Sequence, residues 1–508
     1  MVKKNRRDFL KKMGTVSIIA VAGPLAAYGA TPFKPKNTES GNFLVKPVPF
    51  ESVSSYFTPY RLFWGDIHAH TGYSDGYGSG HEFYKRARRF ENLDFAAMSD
   101  HGCWMRCINK AFQSIDSLSN PSKDIWYRYC LDSRKHNHDG QFVTLVGVEW
   151  SGKRGHRNVY YRGFEGLPSY PPVNRKTYPT PKALWKFLDQ CGAEWFSVPH
   201  HPAQEGLLTN WDYHHERERL VEIYSEWGNS DDPLSSREQL MCYRRDPGLK
   251  EKNKKHFVSH AIKSGLKLGI IAGTDNHHGL AGSCRNGEVR GISLAEGLGL
   301  GVAVNQENFR EFSQALKGKG VNTLGKYLHI MKNGYTMDLR VNNRAEMFRS
   351  GGGLCAVYSR SLTNHGIWDA LWDRRTFGTT GPRPHVKFCV RNPGKPNDYA
   401  LMGDELETKN RPELLLAVRT VELGLRITEI QILKNARIAL SIPYSDESDI
   451  REVSLSLVDL SPAAENSVDS YHAKIFLEDR ANADNDGIDR NRLKELVWTS
   501  PVWVTRMA

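Results

Sequence analysis

From residue 61 to about 280, short apolar runs alternate with stretches of helical periodicity. Arg61-Leu-Phe-Trp-Gly-Asp-Ile67, Phe95-Ala-Ala-Met98, Phe142-Val-Thr-Leu-Val-Gly-Val148, Glu194-Trp-Phe-Ser-Val198, Leu220-Val-Glu-Ile-Tyr224 and Leu266-Lys-Leu-Gly-Ile-Ile-Ala272 predict six strands. Residues 82–90 and 180–191 predict helices between them, the second opened by Thr180 with Pro181 at its first position. This alternation predicts an α/β domain built on a parallel sheet, open or closed into a barrel. After about residue 385 the pattern changes. Leu414-Leu-Leu-Ala-Val418, Ile427-Thr-Glu-Ile-Gln-Ile-Leu433, Val453-Ser-Leu-Ser-Leu457 and Ala473-Lys-Ile-Phe-Leu477 are short, partly alternating and separated by turn residues, which predicts an antiparallel β-sandwich.

Ahead of these elements the chain reads differently. Asn5-Arg6-Arg7-Asp8-Phe9-Leu10-Lys11 follows the twin-arginine export pattern, and an uncharged stretch, Met13 to Ala30, comes next and ends in small residues. Gly23-Pro24 interrupts that stretch, which at 18 residues is barely long enough to span a bilayer. Residues 1–30 therefore read as a cleaved leader, leaving no stable membrane insertion. The expected location is the periplasm, or another exported site, reached through the twin-arginine translocation machinery. That route carries folded proteins, so a metal site would be filled inside the cell. Residues 31–58, rich in Pro, Ser, Thr and Asn, read as a tether or irregular start. The α/β domain then covers 59–384 and the sandwich 385–508.

Composition adds little to this picture. Hydrophobic residues make up 39% of the 508, enough for a large core, and of the formal net charge of +12, +5 sits in residues 1–12. The remaining excess is dispersed, with no basic–aromatic alternation, so no nucleic-acid partner is expected. The eight Cys, at 103, 107, 130, 191, 242, 284, 355 and 389, show no doubled C-x2-C spacing and read as buried free thiols, although Cys103 and Cys107 have same-face helical spacing. Asn482-Ala-Asp484-Asn-Asp486-Gly487 begins like a calcium loop, but Leu493 occupies the position that needs a bidentate Glu. Gly351-Gly-Gly353 lacks the Lys-Ser or Lys-Thr of a P-loop.

The chemistry lies where the predicted strands end. Asp66-Ile-His68-Ala-His70-Thr-Gly-Tyr-Ser74-Asp75 follows the first strand, Ser99-Asp100-His101-Gly102 the second, and Glu149 and then His156 the third. Pro199-His200-His201-Pro202 follows the fourth, and Gly273-Thr-Asp275-Asn-His277-His278 the sixth. Residues two apart in an extended segment share a face, so His68 with His70, and Asp275 with His277, can reach one ion. In parallel α/β folds the carboxyl ends of the strands form the rim where active sites sit. So many charged and imidazole groups at one rim need a compensating partner, which divalent cations supply. The donor count exceeds what one tetrahedral zinc requires, so two or three metals are expected, with Glu149 able to bridge.

These motifs resemble the PHP superfamily, named for polymerase and histidinol phosphatase. The resemblance rests on Asp66-Ile-His-Ala-His-Thr, Ser99-Asp-His-Gly, Gly147-Val-Glu149, His201-Pro202 and Gly273-Thr-Asp-Asn-His277. Leu62-Phe-Trp-Gly-Asp-Ile-His68, Gly155-His-Arg-Asn-Val159, Arg374-Arg-Thr-Phe-Gly-Thr-Thr-Gly381 and Trp498-Thr-Ser-Pro-Val-Trp503 resemble one large branch of it. The resemblance implies a distorted (β/α)7 barrel with a trinuclear centre of Mn, Zn or Fe that hydrolyses phosphoesters. It implies that His68, His70, Glu149 and Asp275 hold one ion. Glu149 would bridge to a second, held by His156 and by His201 or His200, with His201 favoured because it precedes Pro202. Asp75, His101 and His277 would hold the third.

The expected activity is a metal-dependent phosphoesterase acting on a small anionic substrate, with a metal-bound hydroxide as nucleophile. Arg157 and Arg383 are candidates for neutralising phosphoryl charge, and Asp100 and His278 for orienting ligands or protonating the leaving group. Two rivals remain. One is an amidohydrolase-like enzyme cleaving C–N or C–O bonds, although Glu149 stands where such enzymes commonly carry a modified Lys. The other is a non-catalytic metal- or carbohydrate-binding exported protein.

Overall fold

Strands form here where β-branched and aromatic side chains are buried on both faces, and their order decides what meets at the rim. The computed structural model describes residues 39–508 apart from 41, 75, 77, 103–122, 153, 173–177, 236–239, 241, 244–245, 278, 285–351, 423, 446–448 and 480–493. Residues 1–30, expected to form a leader, and Cys103, Cys107, Asp75, His278 and residues 482–487 lie outside the described residues.

Nine strands surround the predicted rim: β1 (Arg61–Asp66), β2 (Phe95–Met98), β3 (Val143–Gly152), β4 (Gly155–Tyr161), β5 (Trp195–His200), β6 (Leu220–Ser225), β7 (Gly269–Ala272), β8 (Leu354–Ser359) and β9 (Thr376–Thr379). β1, β2 and β3 pair in parallel, as do β6 and β7. β8 lies antiparallel to β1, and β9 to β8. β4 pairs antiparallel with both β3 and β5. The β3–β4 turn is too short for a crossover connection, so β4 has to run back along β3.

The helices are short and capped by their own sequence. α1 (Gly80–Arg89) starts with the Ser79 side chain accepting from Glu82 N, and α2 (Lys123–His136) follows β2. α3 (Pro181–Asp189) starts with Thr180 accepting from Ala183 N, with the proline in its first turn, and α4 (Asn364–Trp372) starts with Thr363 accepting from Gly366 N.

Phe63, Phe95, Leu145, Tyr160, Phe196, Leu220, Ile271 and Val357, one from each of β1 to β8, meet in a single apolar cluster with Trp368 of α4. The strands thus surround a filled centre. Gly65 makes this possible, because a Cβ there would lie 2.3 Å from the Phe95 ring. Among the described residues the strand ladders do not close into a barrel. Among the described residues no ladder joins β5 to β6, where the backbone link is Ser197 N to Arg217 O at 3.1 Å. β7 and β9 are tied instead by Thr376 Oγ donating to Ile270 O at 2.9 Å. The fold is mixed α/β and mostly sheet.

Beyond residue 384 the strands include β10 (His385–Arg391), β11 (Glu413–Arg419), β12 (Leu425–Lys434), β13 (Glu452–Asp459), β14 (Val468–Asp479), β15 (Glu495–Thr499) and β16 (Val502–Arg506). β10, β11 and β13 form one antiparallel sheet, and β12, β14, β15 and β16 belong to another. Val386, Leu414 and Leu455 of the first and Ile430, Ile475 and Val497 of the second share one apolar cluster. Residue 384 is no break in the sheet, because β15 pairs with β9 and joins the second sheet to the ring. The stretch expected as a tether is also built in. Phe43–Pro47 is a strand paired with β13, and Phe43, Val45, Phe50, Val53 and Phe57 are buried. Its apolar residues are spaced for burial on one face, which its Pro and Ser content obscured.

Candidate metal centre

The rim residues converge because the segments beyond the strand ends stay hydrogen-bonded to one another. Asp275 N donates to His68 O at 2.7 Å and His70 N to Asn276 O at 2.7 Å. Ser99 N donates to Ala69 O at 3.0 Å, and Glu149 N to Asp100 O at 3.0 Å. Ser151 then pairs with His156, and His156 with His200. Six backbone segments therefore stand side by side, each presenting alternate side chains to one face.

Three groups result. His68, His70, Glu149 and Asp275 form one, His156, His200 and His201 a second, and His70, His101 and His277 a third. Within each, one ligand atom per residue lies within 4.8 Å of all the others, so each group could hold a metal ion. Glu149 is the hub. Its Oε2 lies 3.6 Å from His68 Nε2 and 3.3 Å from His70 Nε2, and its Oε1 lies 2.6 Å from His156 Nδ1 and 3.4 Å from His200 Nε2. Asp275 Oδ1 lies 3.2 Å from both His68 Nε2 and His70 Nε2.

Ring orientation is fixed from behind. His68 Nδ1 meets Glu222 Oε2 at 2.8 Å and His277 Nδ1 meets the Asp275 carbonyl at 3.0 Å, whereas His101 Nδ1 lies against both Ser151 Oγ at 2.6 Å and Glu149 Oε1 at 3.2 Å. The contacts at His68 and His277 occupy Nδ1 and leave Nε2 as the donor toward the group. His277 stacks on His70 with centroids 4.0 Å apart. His201 and Asp275 sit at φ of 31° and 50°, a left-handed conformation that costs of order 1–3 kcal/mol and clusters at functional sites.

Electrostatics sorts the groups. Burial pushes the Glu149 carboxyl up, but His101, His200 and His156 outweigh it and hold the carboxyl well below its usual range. Asp275 is likewise held low by His68 and His70 against burial. Burial dominates at His200, lowering it to about 4, and at His201, so both stay neutral, the form that binds metals. Among the described residues, His156 Nε2, His200 Nδ1 and His201 Nδ1 are buried with no hydrogen-bond partner. Unpaired imidazole nitrogens beside ionised carboxylates fit divalent cations.

The remaining expected residues fall into two sets. Asp100 sits behind the site. Its Oδ1 accepts from Thr71 N at 2.9 Å and from Ser74 Oγ at 2.6 Å, and its Oδ2 accepts from Thr71 Oγ at 2.9 Å, which ties down the loop after His70. Asp66 does the same for the loop after β7, accepting from Thr274 Oγ at 2.6 Å and Gly282 N at 2.8 Å. Arg157 is not brought to the groups, which corrects its assignment to phosphoryl charge. It follows His156 in β4 and so faces the other way, with Nε donating to Glu218 Oε1 at 2.6 Å. Arg383 donates to the carbonyls of Glu91 and Asn92.

Two acidic residues and one aromatic were missed. Glu222 and Glu226 are buried carboxylates beside the first group, and Trp227 donates to Asp275 O at 3.4 Å while its ring flanks His277 and His201. A Glu inside the otherwise apolar run Leu220-Val-Glu-Ile-Tyr224 was the available signal.

Uncharacterized proteins of Chlamydia pneumoniae and Chlamydia trachomatis are 20% and 21% identical over 456 and 457 residues. These alignments cover 87% and 88% of this chain but 57% and 58% of those proteins, so the chain spans little more than half their length. A solved two-domain protein from Bacteroides vulgatus, described as containing a predicted PHP-like metal-dependent phosphoesterase, is similar over 82% of this chain and 91% of its own, with 12% identity and a TM-score of 0.35. A family described as protein of unknown function (DUF3604) matches residues 106–434, more than half of the sequence, and the chain belongs to that family.

Proposed function

We propose that this chain is a metal-dependent hydrolase of the PHP type that cleaves phosphoesters in small anionic substrates. The observation that carries the reading is Glu149, whose two carboxylate oxygens face adjacent donor groups, because a carboxylate shared in this way suits a multinuclear centre. His68, His70, Glu149 and Asp275 would hold one ion. His156, His200 and His201 would hold another beside Glu149, and His101 and His277 a third, to which Asp75 would add an oxygen donor. Two or three divalent ions, Mn, Zn or Fe, suit this mixture of imidazole and carboxylate. Bound there, they would supply Lewis-acid stabilisation of phosphoryl charge and acidify a water.

The chain's own residues do the rest. Asp66 and Asp100 hold the two ligand-bearing loops in place, and at His68 and His277 Glu222 and the Asp275 carbonyl fix which ring nitrogen faces inward. Substrate would approach past His101, His156 and His277, whose side chains are 10%, 10% and 19% exposed, whereas His68 and His70 are 0% exposed. Trp227 would line that approach.

We read the incomplete ring as a distorted seven-fold barrel and the two C-terminal sheets as a β-sandwich over 385–508. We also propose export of the folded chain to the periplasm by the twin-arginine machinery, directed by residues 1–30.

The test is hydrolysis of chromogenic phosphomonoesters and phosphodiesters, as purified, after chelation, and after Mn, Zn or Fe is added back. Turnover should vanish on chelation, return with metal, and be absent in His68→Ala and Asp275→Ala. Metal-loaded protein that cleaves neither ester class would sink the phosphoester reading.

A further inference from the structure

The strand β6 carries a single charged residue. Leu220, Val221, Ile223 and Tyr224 are buried in core clusters, and Glu222 is buried among them at 1% exposure. A lone carboxylate in such a strand is costly unless something compensates it. Its Oε2 meets His68 Nδ1 at 2.8 Å, and among the described residues its Oε1 has no hydrogen-bond partner. The opposite nitrogen of the same ring, Nε2, faces Asp275 Oδ1 at 3.2 Å and Glu149 Oε2 at 3.6 Å.

The pair has its own space. A Cβ on Gly273 would stand 2.6 Å from Glu222 Oε2 and 2.8 Å from His68 Cβ. Gly273 is therefore the residue that lets the Glu222–His68 contact form directly behind the loop bearing Asp275.

The three donor groups also differ. The group with His68 is the most buried, and it alone combines two imidazoles with two carboxylates. The other two groups are imidazole only, apart from the neighbouring Glu149 oxygen. A carboxylate behind a liganding imidazole fixes its tautomer and raises its basicity.

We propose that Glu222 is a positioning residue that holds His68 through Nδ1 and makes the inner group the site that retains its ion longest. This rests on the metal-centre reading above. The two outer groups, more exposed and without such a carboxylate, would exchange their ions first.

The test uses the full chain loaded with manganese(II), dialysed against EDTA, with bound metal followed over time by mass spectrometry. The wild type should lose its outer equivalents rapidly and keep one. Glu222→Gln, which keeps the shape and the acceptor but not the charge, should release that last equivalent roughly 10–100-fold faster, the usual effect of removing such a supporting group. Thermal melting of the metal-free forms checks folding, and Glu222→Asp, which draws the charge back by one methylene, gives a second variant with the same readout. Ser151→Ala, which removes one of the contacts to His101 Nδ1, should speed loss of an outer equivalent more than loss of the inner one. Retention by both Glu222 variants equal to the wild type would overturn the inference alone. Wild-type protein that takes up no manganese would overturn the metal-centre reading and the inference with it.

Discussion

At the scale of single residues, polar side chains in apolar strands divide into those facing the donor groups and those serving the packing. Arg157 belongs to the second kind. Its guanidinium is fully buried against Glu218, and breaking a buried pair by removing one partner costs about 3–5 kcal/mol because the other charge is stranded. Arg157→Met should therefore lower the urea midpoint strongly while the folded fraction binds the same number of metal equivalents. A loss of metal at unchanged stability would return Arg157 to the centre. Gly273 makes the opposite case. Gly273→Ala pushes a methyl into the Glu222–His68 contact, so it should loosen metal binding, measured by equilibrium titration, while leaving the strands intact by circular dichroism. Most of the donor set was legible in the sequence, since His68, His70, His101, Glu149, Asp275 and His277 all stand directly after apolar runs. Glu222 was not, because a single Glu within a strand gives no spacing to read. Arg157 was misjudged because its neighbour His156 faces the donor groups, and adjacent strand residues point opposite ways.

At the scale of elements, the strands from 61 to 272 were visible as apolar runs, and β4 was not. Gly155-His-Arg-Asn-Val159 looks like a polar loop, yet all of it is buried, because His156 serves the donor groups and Arg157 the Glu218 pair. The antiparallel hairpin followed from that unseen strand, and with it the failure of the ladders to form a simple parallel barrel. In the C-terminal half, β14 carries a buried histidine, His472, whose pKa burial lowers to about 4, well under the unfolded value near 6.5. Between those values the unfolded chain binds a proton that the folded chain does not. Stability from this group is therefore full above pH 6.5 and declines as pH falls toward 4. The loss should reach about 2 kcal/mol at pH 5 relative to pH 7. In denaturant melts with chelator present, His472→Leu should remove that part of the acid sensitivity. An unchanged difference between pH 7 and pH 5 would show that His472 titrates normally.

At the scale of the whole molecule, the ring and the C-terminal sheets are joined by the β9–β15 ladder and by a buried contact in which Lys474 and Trp498 both donate to Asp231. The N-terminal strand completes the assembly against β13. Deleting residues 39–57 would expose partners of Phe43, Val45, Phe50, Val53 and Phe57, each contributing roughly 1.5–3 kcal/mol when fully buried, together comparable to a domain's usual margin. The truncated chain should fail to give a cooperative thermal transition, whereas a soluble, cooperatively melting product would show that this segment is the tether its composition suggests. The change of strand pattern near residue 384 was readable in the sequence. The sheet crossing it was not, because pairing between residues more than a hundred positions apart leaves no local trace.

Anomalous diffraction from crystals of manganese-loaded protein shows whether the donor groups around Glu149 are metal sites. Strong peaks should appear among His68, His70, Glu149 and Asp275, and among His156, His200 and His201, with a weaker one beside His101 and His277. Well-ordered side chains at these positions with no anomalous peak between them would contradict that assignment.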